Sequence, residues 1–221
     1  VKDSPARRIS KTNLEHQSHG AERTMKPQLG DTILNRYTLV SSLREEPGIQ
    51  AWKANDRVLA KDCQLFIITD RSAFAAIDKL AGRIAATRPD RVIPILKYRM
   101  ESDVLLIVMP VDSGQCLTDY MVDTAKPLSY SAIRSIIGEC ADVLREVIAD
   151  TPSGIVITTD TVRVTTSGVQ IADAPCATML ADTSATDLRT DGPERYAIRQ
   201  LAALLYTLLT RTPSQATPTF N

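Results

Sequence analysis

Clustered metal ligands are missing from this sequence. Its two histidines, His16 and His19, lie in a polar leader, and its four cysteines, Cys63, Cys116, Cys140 and Cys176, are dispersed with no Cys-x-x-Cys pair. A zinc site needs several such ligands at short spacings, so no metal is expected. Dispersed thiols suit a reducing cytoplasm. No run of about 18 apolar residues occurs, which excludes a spanning helix within the chain. Val1 to Ala6 lacks the apolar stretch of a signal peptide. An excess of one charge is absent as well: 26 Lys and Arg balance 26 Asp and Glu. The basic surplus of a nucleic-acid binder is therefore lacking.

What is present is ordinary globular material. Of 221 residues, 43% are hydrophobic and 24% charged, enough for one domain, or one two-lobed domain with tails. Residues 1–29 are polar and aperiodic, with Lys2, Arg7, Arg8 and Lys11 giving local positive charge. Two readings stand for this leader: a disordered tail, or a juxtamembrane linker, because cytoplasmic flanks of membrane helices are rich in Lys and Arg. A first residue of Val instead of Met leads to the expectation of a fragment. Residues 211–221 hold several Thr and Pro and read as an exposed tail.

Between these ends the periodicity changes once. Arg36–Leu43, Gln50–Ala54 and Gln64–Thr69 read as strands, the third apolar enough to be central. Phe74, Ile77, Leu80, Ala81, Ile84 and Ala85 recur at helical spacing behind Ser72, a candidate N-cap. Val92–Tyr98 and Val104–Met109 read as two further strands. After Asp112-Ser-Gly114 the pattern turns helical. Ile133, Ile136, Ile137, Cys140, Val143, Leu144, Val147 and Ile148 form one apolar face that ends at Thr151-Pro-Ser-Gly154. Short strands follow at Ile155–Ile157, Val162–Val164 and Val169–Ile171, the last two joined as a hairpin through Thr166-Ser-Gly168. A final helix runs from about Arg195 to Leu209. Inward faces predict a core of Leu39, Phe66, Ile68, Ile77, Ile95, Val108, Ile136, Val143, Leu144, Leu201, Leu205 and Leu208.

Several local stretches resemble a bacterial Ser/Thr protein kinase, in the right order. Leu29-Gly-Asp-Thr-Ile-Leu-Asn-Arg-Tyr-Thr-Leu39 resembles the entry to the first strand. Ala51-Trp-Lys-Ala-Asn-Asp56 resembles the second strand, with Trp52 as its aromatic. Arg88-Pro-Asp-Arg-Val92 is similar to the segment before the fourth strand. Leu105-Leu-Ile-Val-Met109 with Gly114-Gln-Cys-Leu117 resembles the fifth strand and hinge. Ile171-Ala-Asp173 falls where the metal-binding Asp stands, and Leu204-Leu-Tyr-Thr-Leu-Leu-Thr210 resembles the large helix of the second lobe. The resemblance covers about residues 29–213. It implies an α+β, protein-kinase-like fold, with a five-stranded antiparallel N-lobe carrying one helix (residues 30–111) and a shortened, mainly helical C-lobe (residues 112–210).

The same resemblance implies an inactive site. A kinase needs a glycine-rich loop for close backbone approach to the phosphates. Arg44-Glu-Glu-Pro-Gly48 keeps only Gly48 and puts two acids there. Phe66 aligns with the phosphate-pairing Lys, Ile77 with its Glu partner, and Thr161 with the metal-binding Asn. Asp-Phe-Gly has become Asp173-Ala174-Pro175. Ile155-Val-Ile-Thr-Thr-Asp160 is too short for a catalytic His-Arg-Asp loop. No cofactor is expected. The stretch Ile198–Tyr206 and the basic leader resemble the cytoplasmic pseudokinase domain of MviN-type peptidoglycan lipid flippases. That resemblance implies a membrane-tethered cytoplasmic module whose membrane contact comes only through the rest of the parent protein. It also implies two partners, an upstream Ser/Thr kinase and a phosphothreonine-reading forkhead-associated (FHA) domain. Thr217, with Phe220 three positions on, is the first phosphosite candidate, followed by Thr212 and by Thr12, which has Glu15 at the matching place. Two other readings remain open: an unorthodox kinase using Lys53 or Lys61, and a structural remnant in an unrelated receptor or transporter.

Overall fold

The computed structural model describes residues 27–101, 103–122, 127–150, 155–180 and 192–211. Thr12, Thr212 and Thr217 therefore lie outside the described residues, as do most of the leader and tail and the expected helix stop at residues 151–154.

The first half is a curled antiparallel sheet with one helix against it. Strands β1 (Thr32–Ile33), β2 (Tyr37–Glu46), β3 (Ile49–Asp56) and β4 (Lys61–Ile68) follow in sequence, and β6 (Leu105–Pro110) and β5 (Lys97–Met100) complete the order β1-β2-β3-β4-β6-β5. The resemblance implies five strands and the sheet has six, because the two-residue β1 pairs Ile33 with Tyr37. A pairing that short leaves no period to read. Strand β4 is central and buried on both faces. Phe66 and Ile68 join a cluster with Phe74, Ile77 and Ala81 of helix α1 (Arg71–Thr87). Cys63, Leu65 and Ile67 feed the opposite face, with Tyr37, Leu39 and Trp52.

Helix α1 is capped by Asp70, whose carboxylate accepts from the Ser72 N–H at 2.9 Å. The cap is therefore Asp70 and not Ser72, which sits inside the first turn and donates its hydroxyl to the same carboxylate. Arg88, in the left-handed region, closes the other end by donating its N–H to Ile84 O. At the far end of the sheet Arg36 makes a bidentate pair with Asp56, at 2.9 and 2.7 Å. That hydrogen bonding, with the N–H groups of Val58 and Leu59, holds the Asp56 carboxyl down at about 2. A depressed carboxylate stabilises the fold above its ordinary range, and the contribution is lost as pH falls through that range towards about 2.

The second half packs helices under a small sheet. Strand β7 (Gln115–Cys116) leads into α2 (Leu117–Val122), then α3 (Tyr130–Asp150), the hairpin β8 (Val162–Thr165) and β9 (Gly168–Ile171), the short α4 (Ala177–Leu180) and α5 (Pro193–Thr210). The small sheet runs β7-β8-β9. Its underside, with Val162, Val169 and Ile171, meets Leu117 of α2, Ile133, Ile136, Cys140, Val143, Leu144 and Val147 of α3 and Leu204 and Leu208 of α5 in one core.

Several expectations are corrected here. Residues 92–98 do not form a strand: Val92 makes an isolated bridge to Ile171, and the strand begins only at Lys97. Pro94 has no N–H for a ladder, and the backbone on its N-terminal side is taken by β9, through Ile93 N to Ile171 O and Ile171 N to Arg91 O. Ile155–Ile157 is buried but unpaired as a strand. Gln200 of α5 clamps it instead, accepting from Ile157 N at 2.6 Å and donating to Ile155 O at 3.2 Å. Strand β7 and helix α2 had no counterpart in the sequence reading. In the predicted core, Leu205 is 37% exposed while Leu204 is 3%. The buried stripe of α5 is Tyr196, Ala197, Gln200, Leu204 and Leu208, and a polar Gln inside it hides the true phase. Ile95 and Leu201 are only partly buried, packed against the clusters. The other nine predicted core residues are buried.

The phase of α5 gives a direct test. Leu204→Ala should cost roughly 2–5 kcal/mol by emptying a packed site, and Leu205→Ala no more than about 1 kcal/mol. Denaturant melts of the two variants give both values; equal losses would place α5 in a different rotation.

Candidate functional site: the cleft between the two sheets

The large sheet and the small sheet face each other across a cavity of about 290 Å³. Its roof is the inner face of β3 and β4, and its floor is β7, β8 and the Asp173 corner. Residues 111–114 connect the two.

Phe66 lines this cavity yet is fully buried, and it shares one apolar cluster with Ile77. Two positions where the resemblance implies an ion pair thus hold apolar side chains of one cluster. Gly48 is not at the cavity. It turns the β2–β3 hairpin at φ 77°, and a Cβ there would come within 2.6 Å of Asp70 Cβ. Gly48 O also accepts from Thr69 N at 2.8 Å and Asp70 N at 3.2 Å, which pins the hairpin tip to the start of α1. The two acids beside it are engaged locally: Glu46 pairs with Arg44 at 3.5 Å, and Glu45 accepts from Gln50 at 3.0 Å.

On the floor, Thr161 is buried, and its hydroxyl turns inward. It donates to Val156 O at 3.0 Å and accepts from Thr158 N at 2.9 Å. It is a turn residue in this geometry. Ala174 and Pro175 are buried below the cavity. Asp173 does reach the cavity, from a left-handed backbone at φ 57°. Burial pushes its carboxyl above the ordinary range, opposed by the charge of Arg163 and by a 3.2 Å hydrogen bond from Gln64. Lys53 lines the cavity edge with its ammonium 2.8 Å from Asp62, and Lys61 is exposed at the start of β4.

Arg163 of β8 is the group that the sequence reading missed. Its side chain is 14% exposed. The Nε donates to Asp112 Oδ2, Nη1 donates to Asp160 O and lies 3.3 Å from Cys116 Sγ, and Nη2 lies 4.0 Å from Asp173 Oδ2. Burial works against its charge, but the Asp112 hydrogen bond and the surrounding carboxylates hold its pKa above the ordinary arginine value. In the sequence Arg163 is one polar residue between two valines, as an outward position on any half-buried strand would be. Among the described residues no cluster of three His, Cys, Asp or Glu is placed to hold a metal ion, and no helix is long and apolar enough to cross a membrane.

No protein-family model matches the chain, and no curated protein matches it by sequence. Solved structures do match. The kinase domain of PknI from Mycobacterium tuberculosis superposes with a TM-score of 0.63 at 15% identity, over 89% of this chain and 80% of that one. A cysteine-to-alanine variant of the same domain gives 0.64 at 16% identity, over 89% and 82%. The fold is therefore protein-kinase-like, α+β, with a curled antiparallel N-lobe sheet.

Position 66 offers a test of the roof. Phe66→Lys would bury an ammonium in an apolar cluster, at a cost of several kcal/mol. The expected result is a drop in Tm of at least about 6 °C. A variant as stable as the parent would mean that side chain 66 opens into the cleft.

Proposed function

We propose that this chain is a catalytically inactive pseudokinase. It acts as a phosphorylation-regulated interaction module and regulates peptidoglycan precursor export in the manner of the MviN-type flippase domains it resembles. The observation that carries this reading is the burial of Phe66 and Ile77 in one apolar cluster. Where a kinase holds phosphate with a Lys–Glu pair, this chain has two apolar side chains in one buried cluster. The pinned Gly48 hairpin and the inward Thr161 support it. The magnitudes are decisive for such a reading. A general base contributes roughly 10²–10⁴-fold, and charge-stabilising groups in phosphoryl transfer about 10³–10⁵-fold. Without both, phosphoryl transfer falls to background.

An inactive kinase fold retains a large surface and tails that other proteins can read. A phosphate adds about −1.5 to −2 charge and strong acceptor oxygens, which an Arg-bearing FHA domain grips. Thr217, then Thr212 and Thr12, are the candidates for that mark. In this reading the module is held at the cytoplasmic face of the membrane by the rest of its parent protein.

One assay tests both halves. With labelled ATP and Mg²⁺ the protein alone should incorporate no phosphate. With an active membrane Ser/Thr kinase it should be modified at Thr217 first and then bind an FHA domain, and Thr217→Ala with Thr212→Ala should abolish that binding. Phosphate incorporation by the protein alone, lost in Lys53→Ala, would establish the unorthodox kinase instead.

A further inference from the structure

We infer that Arg163 is an internal latch: its guanidinium ties the hinge to the floor of the cleft by bridging Asp112 to Asp173, and Asp173 is held from the roof by Gln64. The inference extends the inactive reading above, because it names what keeps the two sheets together.

The geometry is specific to this residue. Arg163 has carboxylates on two sides, Asp112 through its Nε and Asp173 at 4.0 Å from Nη2, and a carbonyl and a thiol at its Nη1. All three charged side chains are mostly buried, at 14%, 23% and 12% exposure for Arg163, Asp112 and Asp173. Buried charges persist only when paired and hydrogen-bonded. Of the other cations that line the cavity, Lys53 pairs with Asp62 at 2.8 Å, and Arg44 pairs with Glu46 at 3.5 Å while its charge also favours the Asp173 carboxylate. The stem of Arg163 is fixed as well. Gly114 packs so closely that a Cβ there would lie 2.6 Å from Arg163 Cβ and 3.0 Å from Thr165 Cγ2. The hinge thus presses on the arginine from one end while Asp112 grips it at the other. Gln64 of β4 then donates to Asp173 at 3.2 Å, which carries the tie from the small sheet into the large one.

A probe is already in place. Cys116 lies in the cleft against the guanidinium, and it is the half-buried cysteine of the four; Cys63, Cys140 and Cys176 are buried. Its alkylation by iodoacetamide in the native protein reads the latch. Arg163→Met keeps most of the side chain's bulk against Cys116 and removes its charge and hydrogen bonds, so an acceleration shared by Arg163→Ala and Arg163→Met reports opening and not the space left by a truncated side chain.

The experiment compares the parent with Arg163→Ala and Arg163→Met. The latch predicts that Cys116 is alkylated at least about tenfold faster in both variants while the three buried cysteines stay protected, as they are only in folded protein. It also predicts that adding Asp112→Asn to Arg163→Ala restores much of the lost Tm, because the stranded carboxylate is removed. Should Arg163→Ala leave too little folded protein, Arg163→Ala with Asp112→Asn and Asp173→Asn takes its place in the same alkylation assay. A Cys116 rate within about twofold of the parent in folded variant protein overturns the latch, as do strictly additive Tm changes. Micromolar ATP binding by the parent protein would defeat the inactive reading by itself, whatever the alkylation rates show of Arg163.

Discussion

A strand buried on both faces has no room for an unpaired charge, and β4 is such a strand. Its alternate residues supply two separate cores. Phe66 and Ile68 pack down onto α1, and Leu65 and Ile67 pack up under the curl of the sheet with Trp52 and Leu39. The order of the sheet, the seat of α1 and the roof of the cleft all follow from this one arrangement. A lysine at position 66 is tolerated in such a place only with a carboxylate partner and an opening to solvent. Here positions 66 and 77 are Phe and Ile, buried in one apolar cluster. On the reading proposed above, the same packing that makes the N-lobe firm removes an anchor for phosphoryl transfer.

The floor solves a different electrostatic problem. Asp173 is retained at its corner and is mostly buried, so something must offset its desolvation. In this chain the compensation comes from side chains, Arg163 and Gln64, which are covalently part of the fold. A network of this kind is satisfied in the resting protein, and satisfied polar networks favour one conformation. The Arg91–Glu139 pair, with Val169 N donating to the same carboxylate at 2.8 Å, makes a second tie across the body of the molecule.

The sequence made most of the fold legible, for physical reasons that vary by element. Helices α1 and α3 were readable because each has one continuous apolar stripe, from Phe74 to Ile84 and from Ile133 to Val147. Strands β2 to β4 were readable from turn chemistry around Gly48 and from alternation. Where a tertiary partner replaced a local one, the reading failed. Ile155–Ile157 looks like a strand and is an extended segment clamped by Gln200 from α5, 43 residues away. Val92 and Ile93 look like the start of β5 and instead belong with β9. In the site, Gly48, Phe66, Ile77, Thr161 and Asp173 could be singled out by resemblance, one residue at a time. Arg163 could not, because its meaning lies in Asp112 and Asp173, which are 51 and 10 residues from it in sequence and converge only in the folded chain.

The central claim is that a kinase-like fold here encloses a cleft that does not take nucleotide. Isothermal titration of the purified protein with ATP and Mg²⁺ tests it most directly. The account predicts no saturable binding heat up to about 1 mM ligand, the affinity at which about −4 kcal/mol would be available. A well-defined isotherm with micromolar affinity would contradict it.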